Sequence, residues 1–132
     1  MCPATNDYVE QGLLLRKALI EHVRLAKETG QFQRSGLHNF IEVGEIFKQY
    51  VPEGCTFDYA ENVLRSAGFT FDHRPTPDSP NSLGGEYAFD VNAFLGYGGE
   101  SFEGVQCVVA LRPAGLYDYG PVHRVITTCG YI

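Results

Sequence analysis

The sequence predicts an α+β fold in which three N-terminal helices pack on one face of a four-stranded antiparallel meander. Two observations carry this. Apolar residues recur at the roughly 3.6-residue spacing of a helix as far as Gly68, and beyond it they alternate with polar residues at a period of two. The later apolar runs are separated by connections too short to hold a crossover, so consecutive strands are expected to pair antiparallel.

Asp7 followed by Glu10 places an N-cap and a carboxylate at the third helical position, and the first helix is expected over residues 7 to 29. Its apolar stripe is Leu15, Ala18, Leu19, His22, Val23 and Ala26, with Arg16, Lys17, Glu21, Arg24, Lys27 and Glu28 left for solvent and Gly30 as the stop. His22 inside that stripe reads as a buried neutral imidazole with one hydrogen-bond partner. Asn39 with Glu42 signals a second start, and Phe40, Val43, Phe47 and Tyr50 keep the spacing until Pro52, giving a helix over 39 to 50. Thr56 caps a third, over 57 to 67, with Phe57, Ala60, Val63, Leu64 and Ala67 on one face and Gly68 supplying the left-handed terminus.

Phe69 and Phe71 alternate against Thr70 and Asp72 in the first strand. His73 to Gly85 holds Pro75, Pro77 and Pro80 with Asp78, Ser79, Asn81 and Ser82, and reads as an exposed loop. Tyr87, Phe89, Val91 and Ala93 mark the second strand, the glycines between Gly96 and Gly104 a turn, Val105 to Arg112 the third strand, and Val122 to Tyr131 the fourth. Residues 1 to 68 form the helical part and 69 to 132 the sheet part of one domain. Val51-Pro52 and Gly54, then Thr56, Ala60, Leu64 and Ala67-Gly68-Phe69, resemble the opening strand-to-helix segment of PASTA domains, which bind cell-wall fragments outside the cell. The likeness is local to this stretch, and no activity is carried over from it.

At 132 residues and 14.6 kDa the chain is long enough for one core. Sixteen acidic against ten basic side chains leave a net charge of −6, with −2 on residues 1 to 68 and −4 on the rest, which argues against a nucleic-acid backbone binder. Met1 to Asp7 carry no positive side chain and lead into a charged amphipathic segment, so neither a signal peptide nor a membrane anchor is expected. Cys2, Cys55, Cys107 and Cys129 are spaced 53, 52 and 22 apart, without the density of a small secreted scaffold, and reduced thiols in a cytoplasm are expected.

The chain has no Cys-x-x-Cys, His-x-x-x-His or His-Glu-x-x-His, so no metal and no cofactor is assigned. Gly96-Tyr97-Gly98-Gly99-Glu100-Ser101 follows a strand but leads into another strand, and its acids would repel phosphate, so it reads as a hairpin loop. His123 and Cys129 on one strand lie six residues apart, about 20 Å, too far for a dyad. Cys107 and Cys129 share a face in an odd-with-odd register and read as small apolar packing, with pairing left open. Asp90 with Glu86 or Asp118 has nothing to fix a carboxylate dyad, and no catalytic residue is assigned.

The most informative feature is the aromatic and acidic content of glycine-framed loops: Tyr97, Glu100, Phe102 and Glu103 in one, Leu116, Tyr117, Asp118 and Tyr119 in the other. Such tyrosines give contact area at low entropic cost, unless they fold back as caps on the sheet. In a meander the proline-rich loop and Gly115 to Gly120 emerge at the same end. Tyr117, Asp118, Tyr119, Arg74 and Pro77 are therefore the expected partner-binding residues, with Arg112 as a rim charge. The expectation is a small, acidic, cytoplasmic, non-catalytic protein that binds another protein, of inhibitor, immunity or accessory type, and neither nucleic acid nor membrane. The alternative is a small-molecule or enzymatic cone lined by Phe40, Phe47, Phe69, Phe71, Phe89 and Phe94. Homodimerisation through an uncovered sheet face is a third reading.

Overall fold

A computed structural model describes residues 7–29, 33–35, 38–41, 43–81, 84–96 and 105–131. In chain order they form α1 (Tyr8–Thr29), β1 (Gln33–Ser35), β2 (His38–Ile41), α2 (Gly44–Tyr50), α3 (Phe57–Ser66), β3 (Thr70–Phe71), β4 (Val91–Leu95), β5 (Val105–Pro113) and β6 (Val122–Tyr131). One antiparallel sheet has the order β1-β2-β6-β5-β4-β3. The α+β class and the meander, as β3 to β6, are as expected, and a hairpin from the supposedly helical part extends the sheet beyond β6.

Leu15, Leu19, Val23 and Ala26 of α1 are fully buried as the stripe required, and so are Phe57, Ala60, Val63 and Leu64 of α3. His22, expected in the core, is only half-buried. Thr56 accepts a hydrogen bond from the Tyr59 amide at 3.1 Å. At the other end of α3, the Phe69 amide bonds the Leu64 carbonyl and the Gly68 amide that of Arg65, with Gly68 at φ +99°. This paired closure needs a left-handed residue, and Gly68 provides it. Arg16 was assigned to solvent but donates to the Ala67 carbonyl at 2.9 Å, a cation at a helix C-terminus. α1 and α3 approach closely at Gly12, where a Cβ would collide with Ser66 and lie 2.5 Å from the Val63 carbonyl oxygen.

The second helix begins later than expected. Asn39 lies in β2, whose Phe40 and Ile41 pair with Gly130 and Cys129 of β6, and α2 starts at Gly44 after Val43 with no side-chain cap. Long-range strand pairing overrides a helical spacing that continues by coincidence from Phe40 to Phe47. The second strand is also displaced: Gly85–Tyr87 form a 3-10 turn, and β4 runs from Val91. Asn81 supplies the reason, since its side-chain amide donates to the carbonyls of both Tyr87 and Asp90 and holds that stretch in a turn. Gly30, Glu42 and positions 97–104 lie outside the described residues.

The helices cover one face of the sheet. Val91, Ala93 and Leu95 of β4, Cys107, Val109 and Leu111 of β5 and Cys129 of β6 meet Phe47, Phe57, Phe69 and the α1 leucines in one core. Within it Cys107 and Cys129 sit directly opposite each other and are joined by a disulfide, with Cα atoms 4.1 Å apart. This corrects the expectation of reduced thiols. The register sets the two side chains directly opposite each other on the core face, close enough for their sulfurs to bond. Cys55 is disulfide-bonded as well. Among the described residues no helix is long and apolar enough to cross a membrane.

Candidate functional site

The connection from β3 to β4 and the turn from β5 to β6 meet at one end of the sheet. The turn closes on a bond from the Asp118 amide to the Gly115 carbonyl at 3.1 Å, and Tyr117 adopts φ +59°. A left-handed tyrosine is uncommon and costs backbone energy, so its surroundings must hold it there. They do: the Tyr117 ring meets Phe89 edge to face at 5.6 Å. The Tyr119 hydroxyl donates to the Phe89 carbonyl at 2.8 Å, and its ring meets Phe57 edge to face at 5.2 Å. Burial pushes the Tyr119 phenol above its ordinary range; Tyr117 and the Asp90 carboxylate add to the effect and Arg74 opposes it.

Of the expected residues, Tyr117, Asp118, Tyr119 and Arg74 are thus brought to one end, with Asp118 exposed on the turn. Arg74 lies 5.9 Å from the centre of the Phe57 ring, on which Tyr119 also packs. It donates to Asp58 at 2.6 Å and to Glu61 at 2.9 and 2.5 Å. Burial alone would lower its pKa, but the hydrogen bonds to Glu61 and Asp58 raise it. Arg74 therefore ties the loop to α3. Pro77 sits exposed at the tip of a turn closed by reciprocal Thr76 and Ser79 main-chain bonds. Tyr119 packs against the core as the capping alternative required, whereas Tyr117 and Asp118 belong to the outer part of the turn.

Asp90 is 2% exposed and accepts from Arg112 Nε at 3.1 Å and Nη2 at 3.0 Å. Asp90 is thus the acceptor of a two-bond ion pair, and Arg112 is a half-buried anchor more than a rim charge. Above this pair Phe89, Pro113, Ala114, Gly115 and Leu116 complete a pocket of about 230 Å³. Phe89 is 45% and Leu116 64% exposed. Neither was among the expected site residues. The alternation of Tyr87, Phe89 and Val91 suggests a strand at Phe89, and the one signal for this surface is Leu116 in a glycine-framed turn.

His73 Nε2 lies 2.9 Å from both the Ser79 hydroxyl and the Ser79 carbonyl, and Nδ1 lies 3.2 Å from Asp72. The order of groups is that of a hydrolytic triad. However, the Ser79 carbonyl oxygen competes with the Ser79 hydroxyl for the same ring nitrogen, and both come from one residue of the loop that His73 itself begins. The cluster works as a clasp on the proline-rich loop. Among the described residues no group of three His, Cys, Asp or Glu side chains is placed to hold a metal.

The expected aromatic cone is filled or dispersed. Phe47 and Phe69 pack edge to face at 6.0 Å inside the core, Phe71 lies under the Arg65 guanidinium at 4.7 Å, and Phe89 points outward at the tyrosine end. The side chain of Phe40 lies outside the described residues. No family model, curated protein or solved structure matches this chain, the PASTA-like stretch included.

Proposed function

We propose that this protein acts by binding another protein, in the manner of an inhibitor, immunity or accessory factor, and that the tyrosine end of the sheet is its recognition surface. The observation that carries the reading is the solvent-facing pair Phe89 and Leu116 around a pocket fixed from below by Asp90 and Arg112. Apolar anchors on a preorganised frame lose little entropy on docking, and the left-handed Tyr117 is the kind of strained residue that persists where it shapes a surface. Arg74 and Tyr119 support this frame, and Asp118 lies on its rim.

The cytoplasmic setting expected from the sequence is weakened by the disulfide-bonded Cys55, Cys107 and Cys129, because such bonds persist in oxidising compartments. We therefore read the protein as working in an oxidising environment. The test is capture from an extract of the native cell, with the wild type compared with Leu116→Asp and Phe89→Ser. A stoichiometric protein retained by the wild type and lost from both variants, at unchanged melting temperature, is the expected result. A partner retained equally by the variants removes the surface from consideration, and a co-purifying metabolite without a protein removes the function.

A further inference from the structure

The sheet face turned away from the helices is an apolar strip headed by positive charge. Alternation along β5 puts Val108, Ala110 and Arg112 on this face, and along β6 it puts Thr128, Ile126 and Arg124 there, in the register Val108↔Thr128, Ala110↔Ile126 and Arg112↔Arg124. Tyr87, from the turn that Asn81 holds, leans over the strip, and together with Val108, Ala110, Ile126 and Thr128 it lines a pocket of about 280 Å³. The Arg112 guanidinium lies 6.0 Å from the centre of the Tyr87 ring. Two arginines directly opposite each other repel, which makes this an unfavourable pairing unless something compensates it. Asp90 compensates Arg112. Arg124 is exposed and has no ion-pair or hydrogen-bond partner among the described residues.

We propose that this pocket binds a small amphipathic carboxylate, with its apolar body over Val108, Ala110 and Ile126 and its anionic head on Arg124. The charge pattern decides the class. Val108, Ala110 and Ile126 make the middle of the strip apolar, Arg112 and Arg124 make one end cationic, and Arg124 has no acid partner among the described residues of a chain whose net charge is −6. Asp90 already neutralises Arg112, so a wholly apolar ligand would leave Arg124 as the unpaired cation at that end. A carboxylate head pairs with it and gains a charge-assisted hydrogen bond. The pocket is near the lower end of the usual size range for ligand sites, which suits a medium-chain or single-ring acid rather than a long lipid. Arg112 borders both this site and the pocket at Phe89 and Leu116, but the titration reads Arg124 and Ile126, which the protein-binding reading does not use.

The experiment is a heteronuclear NMR titration of the full chain with sodium octanoate, with 3-phenylpropionate as the aromatic arm and 1-octanol as the uncharged control. Saturable shifts confined to Val108, Ala110, Ile126 and their neighbours are expected with one or both acids. The arm that binds more tightly tells an aliphatic from an aromatic ligand. Arg124→Gln should weaken the acid about tenfold, as the loss of one charged hydrogen bond implies, leave octanol binding unchanged, and be partly rescued by Arg124→Lys. Equal affinity of wild type and Arg124→Gln for octanoate overturns the proposal, as does the absence of shifts on this face. So does concentration-dependent dimerisation in sedimentation that Ile126→Asp abolishes, since the face would then be covered by a second copy.

Discussion

Replacing Cys107 and Cys129 together by valine should cost this protein a large part of its stability. Both side chains are fully buried, and valine keeps apolar volume on each strand, so the loss reports chiefly on the removed cross-link. The bonded residues are 22 apart in sequence. A closed loop of that length restricts the unfolded chain by roughly 3 kcal/mol in the chain-entropy account. A domain of ordinary stability holds about 5–15 kcal/mol in all, so the double variant should unfold at a markedly lower urea concentration. The denaturant slope should rise as well, because an unfolded chain without this cross-link exposes more surface. The assay is urea unfolding of the oxidised wild type and of Cys107→Val/Cys129→Val, preceded by thiol titration of the denatured wild type. Free thiols at these two positions, or a loss below about 1 kcal/mol with an unchanged slope, would refute the reasoning and return the pair to simple packing.

Gly12→Ala should lower the melting temperature despite the better helix propensity of alanine. Its Cβ lies 2.5 Å from the Val63 carbonyl oxygen and against Ser66, so α1 and α3 must part, at about 1–3 kcal/mol; a higher melting temperature contradicts that contact. Because burial raises the Tyr119 phenol, the folded state favours its neutral form. That contribution is fully present below the ordinary tyrosine range near pH 10 and is lost as pH rises toward the folded value. Tyr119→Phe should remove a late-ionising phenol from the ultraviolet titration and flatten the alkaline fall in melting temperature, and an unchanged titration curve would count against it.

The parts of the fold legible in the sequence are those held by local signals. α3 carries its own cap at Thr56, an unbroken apolar face and a glycine stop, and these suffice to place it within a residue. β5 and β6 are equally clear because each is a run rich in apolar and β-branched residues bounded by glycine and proline turns. β2 was hidden because Phe40 and Ile41 are held by β6, some ninety residues later, whereas the spacing of Phe40, Val43 and Phe47 suits a helix. The start of β4 was hidden because Tyr87 and Phe89 alternate like a strand, while Asn81 bonds that backbone into a turn. At the candidate site, the approach of the β3–β4 connection to the β5–β6 turn followed from topology, although the contacts to Tyr117 and Tyr119 come from Phe89 rather than from the prolines. The exposure of Phe89 and Leu116 and the pairing of Asp90 with Arg112 depend on side-chain packing, which no spacing rule encodes.

The order of the sheet also bears on how this chain meets other chains. Its two outermost strands are its shortest, with three residues in β1 and two in β3, while the nine and ten residues of β5 and β6 lie inside. Among the described residues few main-chain donors and acceptors are therefore left in line at either rim, and an incoming extended segment gains little ladder from joining there. Growth by strand addition, whether toward fibrils or toward another chain's β-segment, is poorly templated along these strands.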